Sequence, residues 1–147
     1  MDKKQMLDDF IHRCRERNLK VTPQRLAIYE EVISEKSHPS ADSIFQKVRE
    51  KMPYLSFNTV NQNLITFSDY GIIDVVEGYG NPRRYDPDTH PHHHFWCVAC
   101  NSISDVYDVD LDIALPESMI QSSRIVYKTK VVFEGLCEVC QSENEEG

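Results

Sequence analysis

The residues able to do chemistry in this sequence fall into two groups. The first is a pair of thiol motifs, Cys97-x-x-Cys100 and Cys137-x-x-Cys140, separated by 36 residues. Paired thiolates at this spacing supply a soft, four-coordinate sphere suited to tetrahedral zinc. Because all four ligands come from the protein, no position stays open for a reactant, and the site is structural rather than catalytic. A dithiol redox pair is the competing reading, but no thioredoxin-like βαβ pattern surrounds either motif. Cys14 stands apart from both.

The second group is harder: His38, Asp86, His92, His94 and Asp105. His92-His93-His94 opens a segment of strand composition, where alternation puts His92 and His94 on one face and His93 on the other. Imidazoles with carboxylates form a nitrogen and oxygen set that suits Fe²⁺, Mn²⁺ or Zn²⁺. His38 comes from a helical region and Asp86 from a junction, so one ion could tie two parts of the chain together. Composition alone leaves other readings open. A polar strand edge would also carry a histidine triplet, His38-Pro39 is an ordinary loop sequence, and His90 and His93 compete as ligands. His12 falls on a helix surface.

The elements that must position these groups follow from periodicity. Leu7, Phe10, Ile11 and Cys14 recur at helical spacing and predict a first helix ending near Asn18. Thr22-Pro23 reads as a cap and first turn, with Leu26, Ile28, Tyr29, Val32 and Ile33 as the buried stripe. Ser40 caps a third helix with Ile44, Phe45 and Val48 inward. Ser56 caps a fourth from Phe57 to about Tyr70, with Gly71 at its C-terminal end. Val60, Leu64 and Phe67 share its apolar face. Residues 72–85 read as a β-hairpin with a basic returning strand. Beyond Asp86, strand composition appears at His94–Val98, Ile103–Val109 and Ile125–Phe133, a helix is predicted from Leu111 to about Ser122, and Glu143 to Gly147 reads as an acidic tail.

At 147 residues this makes two small domains: 1–85, a turn-rich linker over 86–91, and 92–147. The fold class is α+β, an N-terminal winged helix-turn-helix domain followed by a small C-terminal α/β domain. A chain 40% hydrophobic and 27% charged is too apolar for global disorder. No apolar run reaches the roughly 18 residues of a membrane span, and the N-terminus lacks a signal-peptide core, so a cytoplasmic location without membrane contact is expected.

The net charge of −8 conceals a gradient. Residues 1–85 hold 13 Lys/Arg against 12 Asp/Glu, whereas residues 86–147 hold 3 against 12. Nearly all usable basic charge therefore accompanies the winged helix, where phosphate contacts can be made. In such modules the second helix of the turn unit enters the major groove. Asn58, Thr59, Asn61, Gln62 and Asn63 line that helix with amides and a hydroxyl that can read adenine and thymine. Arg83, Arg84 and Lys51 are candidates for phosphates or the minor groove.

Val21-Thr22-Pro23-Gln24-Arg25, His38-Pro39-Ser40-Ala41-Asp42, Asn58-Thr59-Val60, His92-x-His94-x-x-Cys97-x-x-Cys100 and Cys137-x-x-Cys140 together resemble the ferric uptake regulator family, over nearly the whole chain. The resemblance implies a homodimeric repressor, not an enzyme, that binds operator DNA, with Arg25 and Ser56 joining the DNA-facing set and the second domain serving dimerisation. It implies structural Zn²⁺ on the four cysteines and regulatory Fe²⁺ or Mn²⁺ on His38, Asp86, His92, His94 and Asp105. The sensing set looks most like that of the family's peroxide regulators, because Asp105 stands where iron-sensing members carry Glu and no histidine follows His94. That subtype implies peroxide sensing by iron-catalysed oxidation of His38 or His92. One departure is Asn61, where the family usually carries Tyr, which removes a ring that packs on thymine methyls and leaves Gln62 and Asn63 to read adenine. The alternatives are an iron- or zinc-responsive repressor of the same fold without peroxide chemistry, a metallo-hydrolase on His92, His94 and Asp86, and a zinc-stapled interaction module. The hydrolase reading lacks a general base beside the ligands.

Overall fold

A computed structural model describes residues 2–35, 38–76, 83–107 and 115–145. By its internal contacts the chain divides into Met1–Thr89 and His90–Gly147. The division falls inside the segment read from sequence as a linker, whose first residue, Asp86, closes a strand.

The first unit begins with α1 (Lys3–Glu16), where Asp2 and Gln5 form a reciprocal capping box. In α2 (Pro23–Ser34) the Thr22 hydroxyl accepts from Arg25 N at 3.2 Å, and Pro23 occupies the first turn without losing a hydrogen bond. Ser40 caps α3 (Ala41–Lys51) and Ser56 caps α4 (Phe57–Asp69) in the same way. Gly71 follows the C-cap of α4 at φ +70°, a conformation that a side chain disfavours. The hairpin is β1 (Asp74–Val76) against β2 (Arg84–Asp86), antiparallel, with Val75 opposite Tyr85; its turn lies outside the described residues.

The four helices bury one apolar cluster, including Ile28, Val32, Ile44, Val48, Val60 and Leu64. At its centre Phe10 stacks on Tyr29 with ring centroids 4.2 Å apart, and Phe67 meets both edge-on. The returning strand is tied back to the start of α3: Tyr85 N donates to Pro39 O at 2.9 Å, and Ser40 bridges to Arg84. The wing is thereby fixed to the loop that carries His38.

The second unit is a three-stranded sheet in the order β4-β3-β5. The central β3 (His93–Cys97) runs antiparallel to β4 (Ile103–Val106) and parallel to β5 (Val132–Gly135). Two short helices complete it, α5 (Glu117–Ile120) and α6 (Glu138–Glu145).

Three sequence expectations need correction here. The strand expected over Ile125–Phe133 starts only at Val132, its ladder opening where His94 N donates to Val131 O. Upstream, Ile125 and Tyr127 are 75% and 93% exposed, so the apolar composition there does not report on pairing within the chain. Of the helix expected from Leu111 to about Ser122, the described part is a single turn after Pro116, whose ring disfavours helical backbone at Leu115. Its predicted first residues, and the end of the strand expected to run to Val109, lie outside the described residues. Lastly, the segment read as a tail from Glu143 continues α6 as far as Glu145. Among the described residues no helix is long and apolar enough to cross a membrane.

Candidate functional site

The thiol set is built by the strand ends of the second unit. Cys97 closes β3, and the chain turns back at once, with Asn101 N donating to Cys97 O and Cys97 N to Ser102 O, both at 2.9 Å. Asn101 takes φ +66° to make that turn. Val98 N donates to Gly135 O, which brings the end of β5 alongside, and Cys137 N donates to Cys97 Sγ at 3.4 Å. The four sulfurs lie within 4.8 Å of one another, and Cys100 Sγ stands 3.8 Å from Cys137 Sγ. A tetrahedron with Zn–S bonds of roughly 2.3 Å has edges of roughly 3.8 Å, so the spacing fits zinc. It does not fit a disulfide, which needs sulfurs about 2.05 Å apart.

The electrostatics agree. Backbone N–H groups of Cys100 and Cys137 hold the Cys97 thiol down to about 6. A hydrogen bond with Cys137, together with burial, pushes Cys140 up to about 12. Four thiols at this separation cannot all become thiolates without a cation to offset their mutual repulsion. The donor set thus calls for a divalent ion.

The other candidate ligands divide between the two units. In the first, His38 occupies the left-handed region at φ +58°, held there by Arg84 Nε, which donates to its carbonyl. A histidine tolerates that conformation better than a branched residue would, and such positions concentrate at functional sites. His38 Nε2 lies 3.2 Å from Asp86 Oδ2, and both side chains are 4% exposed. The other carboxylate oxygen, Oδ1, accepts from Asp88 N at 2.9 Å, which fixes the plane of the group.

In the second unit, the register of β3 on β4 sets His94 opposite Asp105. His92 Nε2 and His94 Nε2 approach the same oxygen, Asp105 Oδ1, at 3.2 and 3.4 Å. His92 Nδ1 lies 2.7 Å from His90 O; a carbonyl only accepts, so Nδ1 carries the proton and Nε2 is left as the donor atom for a metal. Two imidazole nitrogens converging on one carboxylate oxygen are a nitrogen and oxygen set of the kind that takes a first-row divalent ion. His93 faces the other way and accepts from Val131 N at 3.0 Å, so it serves the sheet. His90 contributes its carbonyl.

Sequence reading missed one member of this site. Tyr107 lies over the His92 ring, centroids 5.0 Å apart and planes 21° from parallel. The signal was available: Tyr107 is two residues past Asp105, on the same side of an alternating segment.

The polar face of α4 borders an open groove of about 590 Å³, lined by Arg25, Asn58, Thr59, Asn61, Gln62, Asn63 and Thr66. Ser56 sits at the helix start as a cap, its hydroxyl 3.0 Å from that of Thr59. Arg83 is exposed beside Tyr85, whose hydroxyl burial pushes up and Arg83 partly pulls back. Arg84 and Lys51 are engaged elsewhere, Arg84 on His38 O and Lys51 on Glu31 at 3.1 Å.

Helices leading into a hairpin in one unit, and a sheet carrying thiol and imidazole clusters in the other, define a winged-helix protein with candidate metal-binding groups. The ferric uptake regulator family model matches residues 16–135. The peroxide-responsive repressor PerR of Staphylococcus epidermidis is 33% identical over 137 residues, 93% of this chain and 91% of its own. Among solved structures, PerR from Streptococcus pyogenes is 31% identical with a TM-score of 0.52, covering 92% of each chain. The Helicobacter pylori ferric uptake regulator Fur is 21% identical with a TM-score of 0.72 over 96% of this chain and 95% of that one, a likeness of fold. The chain belongs to the ferric uptake regulator family. Members of that family are metal-dependent transcriptional regulators rather than enzymes.

Proposed function

We propose that this protein is a homodimeric, cytoplasmic repressor that holds operator DNA while a divalent ion occupies His38, Asp86, His92, His94 and Asp105, and that peroxide releases it. The observation that carries this reading is the convergence of His92 Nε2 and His94 Nε2 on Asp105 Oδ1, with the His92 tautomer set by His90 O. Cys97, Cys100, Cys137 and Cys140 hold structural Zn²⁺, and Fe²⁺ or Mn²⁺ is the regulatory ion.

The units contribute complementary partial sets, one imidazole with one carboxylate and two imidazoles with one carboxylate. A shared ion would fix the reading head relative to the dimer body. A dimer must match two half-sites at once, so losing that fixed angle loses both contacts together. Arg25, Ser56, Asn58, Thr59, Asn61, Gln62, Asn63 and Arg83 form the DNA-facing set. Homodimerisation is supported by the apolar surface of the second unit, where Ile120, Ile125, Tyr127 and Val139 are exposed.

Ferrous ion held by these residues would catalyse cleavage of the peroxide O–O bond, lending an electron that it regains from the imidazole, the group oxidised overall. The imidazole of His38 or His92 takes up one oxygen atom: histidine and hydrogen peroxide give 2-oxo-histidine and water. An oxidised ring is a poorer donor, and the units part. With Mn²⁺, DNA binding persists without this chemistry.

The test is anaerobic Fe²⁺ loading of the full chain, peroxide exposure, peptide mass spectrometry and an operator-binding assay on one sample. A 16 Da increment on a peptide holding His38 or His92, with loss of binding, is expected. Metal-dependent binding with unmodified histidines would instead assign an iron- or zinc-responsive repressor. Asp105→Glu is expected to keep DNA binding and to lower histidine oxidation; unchanged oxidation in that variant would remove Asp105 from the subtype argument.

A further inference from the structure

We infer that the polar face of α4 divides its labour, with Asn63 and Arg25 positioning the helix and Asn58, Asn61 and Gln62 reading bases. This rests on the DNA-binding reading above. It reverses the sequence expectation for Asn63, which groups that residue with Gln62 as a reader of adenine.

The Asn63 amide is occupied at both ends. Its Oδ1 accepts from Arg25 Nε at 3.0 Å, and its Nδ2 donates to Thr59 O at 2.9 Å. Arg25 is held in turn, Nη1 donating to Lys20 O at 2.6 Å. Bidentate recognition of adenine requires the oxygen and the nitrogen of an amide to face one base edge together. Here they face two different protein groups. Turning Asn63 outward would break both bonds and take from Arg25 Nε its acceptor, so the clasp joins the start of α2 to the middle of α4.

Asn58 and Gln62 are exposed, Asn61 is half-buried, and among the described residues none of these three side-chain amides has a protein partner. Asn61 and Gln62 lie three and four residues after Asn58, so the three share one helical strip bordering the open groove. Asparagine and glutamine pair with adenine N6 and N7 in the major groove. The ligand this strip fits is duplex DNA presenting adenine edges, read by amides in place of an aromatic ring on thymine methyls.

The experiment is selection from randomised duplexes by the full-length, Mn²⁺-loaded protein, followed by affinities on single-base variants of the selected site. Gln62→Ala is expected to weaken the preference at one position per half-site by about 5- to 150-fold, the range of one bidentate contact, while other positions keep theirs. Asn63→Ala is expected to lower affinity for all duplexes by a common factor with the base preferences unchanged. Arg25→Ala should do the same, and the double variant should cost less than the two single factors multiplied, because both remove one clasp. A relaxed preference confined to one position in Asn63→Ala would overturn the assignment. So would unchanged preferences in all three of Asn58→Ala, Asn61→Ala and Gln62→Ala. Wild-type protein without any salt-dependent DNA binding would overturn the regulator reading itself.

Discussion

The unit Met1–Thr89 buries Phe10, Ile28, Tyr29, Val32, Ile44, Val48, Val60, Leu64 and Phe67 in one contiguous cluster. In His90–Gly147, the residues buried among those described are His92, His93, His94 and Cys97, all potential donors to metals or to backbone. The first unit is held by the hydrophobic effect and aromatic packing, which need no cofactor. Among its described residues, the second leaves large apolar side chains exposed and buries histidines and a cysteine. Such an arrangement suits ions among the buried donors and a partner surface over the exposed apolar side chains. Under the reading proposed above, the first unit would stay folded whether or not metal is bound, and the second would depend on it.

The comparison is broken most severely at zinc. Cys97→Ser should leave the second unit unfolded, since structural zinc sites contribute about 10–16 kcal/mol of apparent binding free energy at neutral pH and no apolar cluster stands behind this one among the described residues. The first unit should keep its helical signal and its thermal transition, and limited proteolysis should cut only beyond Thr89. Simultaneous loss of both units would show that they fold as one. Metal uptake by the stripped wild-type protein should also release protons at pH 7. Cys97, held down to about 6, is already a thiolate there, whereas Cys140, pushed up to about 12, must surrender its proton. Uptake should weaken as pH falls through about 6, where Cys97 is protonated too.

The converse change is Phe67→Ala. Removing a ring with 0% exposure that meets both Phe10 and Tyr29 edge-on should cost about 3–5 kcal/mol in the first unit, read as a shift of its denaturation midpoint. Zinc content should not change, because no sulfur ligand lies in that unit.

How much of this was legible in the sequence follows the same division. In the first unit, Thr22, Ser40 and Ser56 announced the helix starts, and the apolar stripes ran at the helical period because one continuous core buries them. In the second, periodicity failed over Ile125–Val131, since Ile125 and Tyr127 face outward and their apolar character reflects a surface rather than an interior. Ligand types and the alternation of His92 and His94 could be read from residue identity. The Arg25–Asn63 clasp could not, because a tertiary contact decides which way a polar side chain turns.

A smaller effect separates the proposed regulatory site from the proposed zinc site. Asp86→Asn keeps the size of the side chain and its contact with Asp88 N while removing a charge beside His38. Mn²⁺ affinity, followed by titration, should fall by at least about tenfold, comparable to losses seen when groups supporting a metal site are altered. Zinc content and the melting of both units should stay as they were. A fall in zinc content would mean that the two sites are not independent.

The smallest expected effect tests whether α4 depends on its own cap or on the core. Ser56 Oγ accepts from Thr59 N at 3.2 Å and lies 3.0 Å from the Thr59 hydroxyl, so Ser56→Ala leaves one first-turn N–H without its side-chain acceptor. Caps of this type contribute about 1 kcal/mol. Val60, Leu64 and Phe67 anchor the rest of α4 in the core, so the loss should stay local, fraying the turn that carries Asn58 and Thr59. Hydrogen exchange at Thr59 should quicken several-fold while exchange at Leu64 remains slow. Acceleration at Leu64 to the same degree would mean that the cap, and not the aromatic core, holds α4 in place.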